Sequence, residues 1–170
     1  MSSLQRAKYN SFYSEYHHFK ILSHMEYSHD TLPNNLRNDL INYVYDIIAC
    51  MHEVHNNLGN GLPEYVYQEA LVIELINNGF KIKREYTHHP VYKGVELTCI
   101  VRLDVVVEMP RGNVIIECKA ISELTDKEQS QILGYLRATE FPIGILVNFG
   151  TRDKAQIERY YYKNQVVTAF

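Results

Sequence analysis

The stretch from Val101 to Ala120 constrains this chain more than any other: Val-Arg-Leu-Asp-Val-Val-Val-Glu-Met-Pro-Arg-Gly-Asn-Val-Ile-Ile-Glu-Cys-Lys-Ala. Two β-branched runs flank Met109-Pro110-Arg111-Gly112, where Pro at the second turn position and Gly at the fourth suit a type I turn. Uninterrupted Val, Ile and Leu read as strands buried on both faces, hence as central strands of a sheet. Yet the same strands carry Asp104, Glu117 and Lys119. Ionised groups in a dry core are unfavourable unless paired, hydrogen-bonded or bound to metal. A turn that pairs Glu108 with Asn113 sets Asp104 opposite Glu117, and directly opposed side chains have Cβ atoms about 4.5–5.5 Å apart. Lys119 shares the face of Glu117 by the strand period of two. Two carboxylates and an amine gathered this way can hold a divalent cation and activate a water. A slip of one residue would put the carboxylates on opposite faces.

A chain of 170 residues reads as one domain, long enough to bury about two thirds of its unfolded surface, and its 46% hydrophobic content is that of an ordinary globular protein. It has no run of about 18 apolar residues, so no membrane span is expected. The first residues lack the apolar block of a secretory signal. Cys50, Cys99 and Cys118 have no metal-type spacing, and an odd count without a signal argues for reduced thiols and a cytoplasmic home. A net charge of −3 counts against tight non-specific binding to a polyanion.

Residues 1–36 read as an N-terminal extension, poorly ordered or carrying a short helix, and 37–170 as the domain. The extension mixes Tyr9, Phe12, Tyr13, Tyr16, Phe19 and Tyr27 with polar residues and no sustained period; Met25 offers a second start, which would leave residues 1–24 outside the natural protein. From Leu36 to Leu58 apolar residues follow a 3.6 period, an amphipathic helix that Gly59 ends. A second helix begins at Pro63 and runs to about Asn78, with a stripe of Val66, Ala70, Ile73 and Leu75 widened by Leu71. Lys81 to Val91 reads as a strand, and Glu96 to Glu108 as the first hairpin arm with a bulge near Thr98-Cys99. Thr125-Asp-Lys-Glu128 is a capping box opening a helix that carries Gln131, Leu133 and Tyr135 and stops at Phe141-Pro142. Ile143 to Phe149 is another buried strand, Asp153 to Tyr162 a terminal helix, and Val166-Val167 a short last strand. That order predicts an α/β fold with a central mixed sheet of four to five strands flanked by helices on both faces.

Asp104, the triplet Glu117-Cys118-Lys119 and a following helix with Gln131 together resemble the PD-(D/E)XK nuclease superfamily. Gly61-Leu-Pro-Glu64-Tyr-Val-Tyr67 is similar to the signature of the GxxExxY family, a branch of that superfamily. The resemblance runs from about Asp39 to Tyr160; Leu103 stands where the superfamily's name places proline. It implies a restriction-endonuclease-like core and a divalent-metal-dependent nuclease acting on DNA, with RNA still open and a homodimer among the expected assemblies. Asp104 and Glu117 would bind Mg²⁺ or Mn²⁺, joined by the Cys118 backbone carbonyl and by Glu64, directly or through water. Lys119 would orient the attacking water or neutralise phosphate charge, and Gln131 would bond the nucleophile or a phosphate. Arg102 and Tyr67 are the candidate substrate contacts.

Plainer readings stand beside these. The charged trio could be a buried ion network, Glu64 a complement to its helix dipole, Gln131 a polar helix flank, and Tyr65 and Tyr67 packing residues. Arg102 could pair with Asp104 instead of a phosphate. His52 and His55 fit a partly buried helix face better than a metal site. Cys118 lies on the strand face opposite Glu117. The run Arg159-Tyr-Tyr-Tyr-Lys163 could stack bases or line a helix. The alternative function is a non-cleaving nucleic-acid-binding or partner-docking module on the same fold. Replacing Asp104, Glu117 or Lys119 by alanine is expected to abolish cleavage with little loss of melting temperature, or even a gain.

Overall fold

The computed structural model describes residues 34–110, 112–164 and 166–169, with side chains from residue 42 onward. All belong to the unit Pro33–Phe170, one of two into which the chain divides. The expectations for residues 1–33, including a start at Met25, lie outside the described residues.

Helix α1 (Asn34–Leu58) buries Val44, Ile47, Ile48, Met51, Val54 and His55, the stripe its 3.6 period requires. Gly59 ends it at φ 65°, donating its N–H to the His55 carbonyl. Helix α2 (Glu64–Asn77) follows Pro63, which occupies the capping position with φ −61°. Its buried side chains are Tyr67, Gln68, Leu71 and Leu75, so the helix is turned away from the stripe that Val66, Ala70 and Ile73 predict, and Ile73 is exposed. Tyr67 sets that rotation: its ring stacks on Phe149 at 4.9 Å between centroids.

Six strands form the main sheet, one or two more than the pattern predicts, in the order β1 (Lys81–His88), β4 (Val101–Glu108), β5 (Val114–Lys119), β6 (Ile143–Asn148), β7 (Gln156–Lys163) and β8 (Val166–Ala169). The β5–β6 pair is parallel and the other neighbours antiparallel, which makes the sheet mixed. The first hairpin arm does not run unbroken from Glu96: β2 (Val91–Tyr92) and β3 (Val95–Glu96) pair as a separate ribbon, and β4 starts at Val101. The expected terminal helix over 153–162 is instead strand β7. Tyr160 and Tyr162 pack into one core and Ile157 and Tyr161 against the other, a period of two. Pairing with the buried strand β6 overrides a weak helical pattern in this β-branched and aromatic segment.

One core lies between the sheet and α1 with α2, the other between the sheet and α3 (Asp126–Thr139), so helices cover both faces. Helix α3 makes the crossover between parallel strands β5 and β6, opened by the expected Thr125–Glu128 capping box. It sits close on β6: a Cβ at Gly144 would lie 2.9 Å from Ile132 Cγ1.

Candidate active site

Strands β4 and β5 pair Val105 with Ile116, Val106 with Ile115 and Val107 with Val114, the register that sets Asp104 against Glu117. The ladder stops there. Val101, Leu103 and Val106 pack into the α3-side core, whereas Val105 and Val107 pack into the other, so β4 changes faces at Asp104. Its neighbour β1 is interrupted at the same level, the pairing passing from Arg84↔Val105 to Tyr86↔Leu103, with Glu85 between them at φ 51°. Non-glycine residues seldom adopt that region. The interruption leaves the Cys118 N–H without a strand partner, and Asp104 Oδ2 accepts it at 3.0 Å. Asp104 thus lies among strands yet serves as a side-chain acceptor within the sheet.

Glu117 is only 2% exposed. Lys119 Nζ donates to its Oε1 at 2.7 Å, while Oε2 is buried with no hydrogen-bond partner among the described residues. Burial, reinforced by the Asp104 charge and only partly offset by Lys119, pushes the Glu117 carboxyl up to about 7. Burial also raises Asp104, against the Cys118 N–H and Lys119. For Lys119 burial opposes the charge, but the bond to Glu117 and the fields of Glu117, Glu64 and Asp104 outweigh it, so the ammonium is held more firmly than usual.

Helix α2 brings Glu64 to the same place. Burial raises its carboxyl, the Lys119 charge lowers it, the Asp104 charge raises it, and the nearby Ala120 backbone lowers it. Two participants went unread in the sequence. Gln68, one turn on, donates from Nε2 to Glu64 Oε1 at 3.5 Å and lies near enough to Asp104 to lower its carboxyl; the i, i+4 spacing from Glu64 was the available signal. Tyr135 accepts a hydrogen bond from Gln131 Nε2 at 2.8 Å, and burial with the charges of Glu117 and Asp104 raises its phenol. Gln131 thus bonds Tyr135, whose phenol feels the charges of Glu117 and Asp104.

Other expected participants have different surroundings. Arg102 pairs with Glu85 at 3.0 Å, not with Asp104, and its side chain is exposed. Tyr67 as a substrate contact is a correction: it is 0% exposed, and its hydroxyl donates to the Gly59 carbonyl and accepts from Leu62 N–H. A stacked ring with a fully used hydroxyl is out of a substrate's reach. Cys118 is buried on the face opposite Glu117, its thiol raised by burial, and it meets the site through its backbone, whose N–H donates to Asp104. His55 Nε2 donates to the Thr151 carbonyl at 2.9 Å, as a core residue.

Among the described residues no three His, Cys, Asp or Glu side chains are gathered closely enough to hold a metal ion on their own. Mg²⁺ usually takes only one or two protein carboxylates and keeps waters and phosphate oxygens for the rest. Asp104 and Glu117 fit that demand: hard oxygen donors, mutually repelling, one with a buried oxygen that no group among the described residues satisfies.

A family model described as the PD-(D/E)XK nuclease superfamily matches residues 41–160. No curated protein matches the chain. Among solved structures, the crystal structure of SSO0001 is similar at 20% identity and a TM-score of 0.42, over 56% of this chain and 48% of its own, so this chain spans about half of that protein's length.

Proposed function

The chain belongs to the PD-(D/E)XK nuclease superfamily, and from that premise we propose that it is a divalent-metal-dependent nuclease hydrolysing phosphodiester bonds in DNA. The observation that carries this reading is the Glu117 carboxylate, one oxygen on Lys119 and the other buried without a partner among the described residues, beside a second carboxylate at Asp104. A purely structural ion pair would satisfy both oxygens or neutralise the second acid.

When bound, Mg²⁺ or Mn²⁺ supplies an acidified water and charge stabilisation on the phosphate. Asp104, Glu117 and the Cys118 carbonyl would hold it, with Glu64 joining directly or through water. Lys119, fixed against Glu117 and strongly charged, orients the water or neutralises charge developing on the phosphorus. Gln131 donates to the Tyr135 oxygen, which leaves the Tyr135 proton free to be donated to a phosphate oxygen. Arg102, exposed and paired only at the surface with Glu85, is the substrate-side cation.

Membership of the GxxExxY branch is supported by the roles of its residues here: Gly61 at φ 96°, Glu64 opening α2, and Tyr67 tying the loop between them. Among the described residues no helix is long and apolar enough to cross a membrane. A cytoplasmic setting rests on the three unpaired cysteines and a homodimer on the family resemblance; sedimentation would test the latter.

The direct test incubates purified protein with labelled single-stranded, double-stranded and branched DNA, and with RNA, in Mn²⁺ or in chelator. Cleavage that needs Mn²⁺ and disappears in Glu117→Ala is the expected result. Equal cleavage by Glu117→Ala removes the mechanism. Binding without cleavage in every arm favours the non-cleaving module.

A further inference from the structure

Gln68 is the one polar residue among the side chains that α2 buries, and it is 8% exposed. An amide withdrawn from water needs partners to offset its lost hydration. Its hydrogen bond runs to Glu64 on α2, Nε2 to Oε1 at 3.5 Å, and Asp104 on β4 is a second carboxylate near enough for Gln68 to lower it. Like charges at that site oppose one another: the Asp104 charge raises the Glu64 carboxyl. A primary amide has two N–H donors and no charge. It can bond both acids at once without adding a further negative charge. Leu71 and Leu75 on the same helix face are wholly apolar, so packing against the sheet makes no demand for an amide at position 68.

We propose that Gln68 is a positioning residue of the metal centre, holding Glu64 and Asp104 at a fixed separation and thereby setting the site's affinity for a divalent cation. This rests on the metal-dependent reading given above. Partners of metal ligands commonly change metal affinity by about 10–100-fold when removed. The effect of losing Gln68 belongs in metal affinity, with the fold left standing.

The test uses the full chain and Mn²⁺ as probe, with free Mn²⁺ measured by electron paramagnetic resonance and melting temperature measured in chelator. Gln68→Met keeps length and removes both donors. It is expected to weaken Mn²⁺ binding about tenfold or more, to melt in chelator no lower than the wild type, and to recover cleavage at saturating Mn²⁺. Gln68→Glu keeps shape and adds a repelling charge; it is expected to melt lower in chelator at pH 8 and to gain more from Mn²⁺ than the wild type does. Unchanged Mn²⁺ affinity in Gln68→Met overturns the proposal. So does a melting temperature in chelator that falls in step with affinity, or a failure to fold, because either assigns Gln68 to packing. Wild-type protein that binds no Mn²⁺ overturns the metal reading itself, and the positioning role with it.

Discussion

Glu117 is buried and Asp104 half-buried, and their removal has opposite consequences for the fold. Asp104 accepts the Cys118 N–H, so Asp104→Ala leaves a buried backbone donor unpaired, at a cost of about 1–3 kcal/mol. Asp104→Asn keeps an oxygen there and is expected to melt close to wild type while losing Mn²⁺-dependent cleavage as fully as Asp104→Ala; paired thermal melts and cleavage assays separate the two. Glu117 carries the reverse sign. Its folded carboxyl titrates at about 7 against an ordinary 4.5, so the folded state holds a proton that the unfolded chain has released between those values. Its contribution is therefore most favourable below 4.5 and is lost as pH rises through about 7, where the ionised form must be buried. Glu117→Gln, whose amide oxygen still accepts from Lys119, is expected to be more stable than wild type in chelator at pH 8, by about 2–3 kcal/mol at most. The gap should close as pH falls toward 4.5, and Mg²⁺ should raise the wild-type melting temperature alone. Denaturant melts across pH, with and without Mg²⁺, check the sign. A gain on mutation thus follows for Glu117 but not for Asp104.

At the level of elements, the site depends on how α2 and α3 are seated. The Tyr67 hydroxyl joins Gly59 and Leu62, the two sides of the loop that delivers Glu64. Tyr67→Phe is expected to keep the Phe149 stack, cost about 1 kcal/mol, and weaken Mn²⁺ binding severalfold by loosening that loop. Calorimetric titration alongside a thermal melt reads both effects. Helix α3 is fixed by a missing side chain instead: Gly144 lets Ile132 and Leu136 lie directly on β6. Gly144→Val would push the helix off the sheet, with overpacking costing about 1–3 kcal/mol. Because Gln131 and Tyr135 ride on α3, catalysis should fall further than stability alone explains, visible as a lower turnover number at a temperature well below the melt.

Over the whole molecule, the site lies where a continuous sheet is locally opened. Strands β5, β6 and β7 contribute to both cores with regular alternation, whereas β1 and β4 are interrupted together at Glu85 and Asp104. Neighbouring strands hold the interruption in place, so polar groups there can be fixed without collapsing the core. The described part of both cores draws on residues 44–167. The unit Pro33–Phe170, which holds both cores, is expected to unfold in one cooperative transition, tested by circular dichroism and calorimetry on a chain beginning at Pro33; a broad, non-cooperative melt would count against a single folding unit.

What the amino-acid sequence determined by itself was whatever depends on neighbours along the chain. The 3.6 period drew α1, the capping box opened α3, and the turn at Met109–Gly112 fixed the register that brings Asp104 to Glu117. Charges placed in β-branched strands marked the site because burial makes them costly. The tertiary structure alone decided matters that depend on residues distant in sequence. Strand pairing with β6 made Gln156–Lys163 a strand, and stacking on Phe149 withdrew Tyr67 from any substrate. Docking of α2 against the sheet carried Gln68 to Asp104, since an amide's partners across space leave no local period to read.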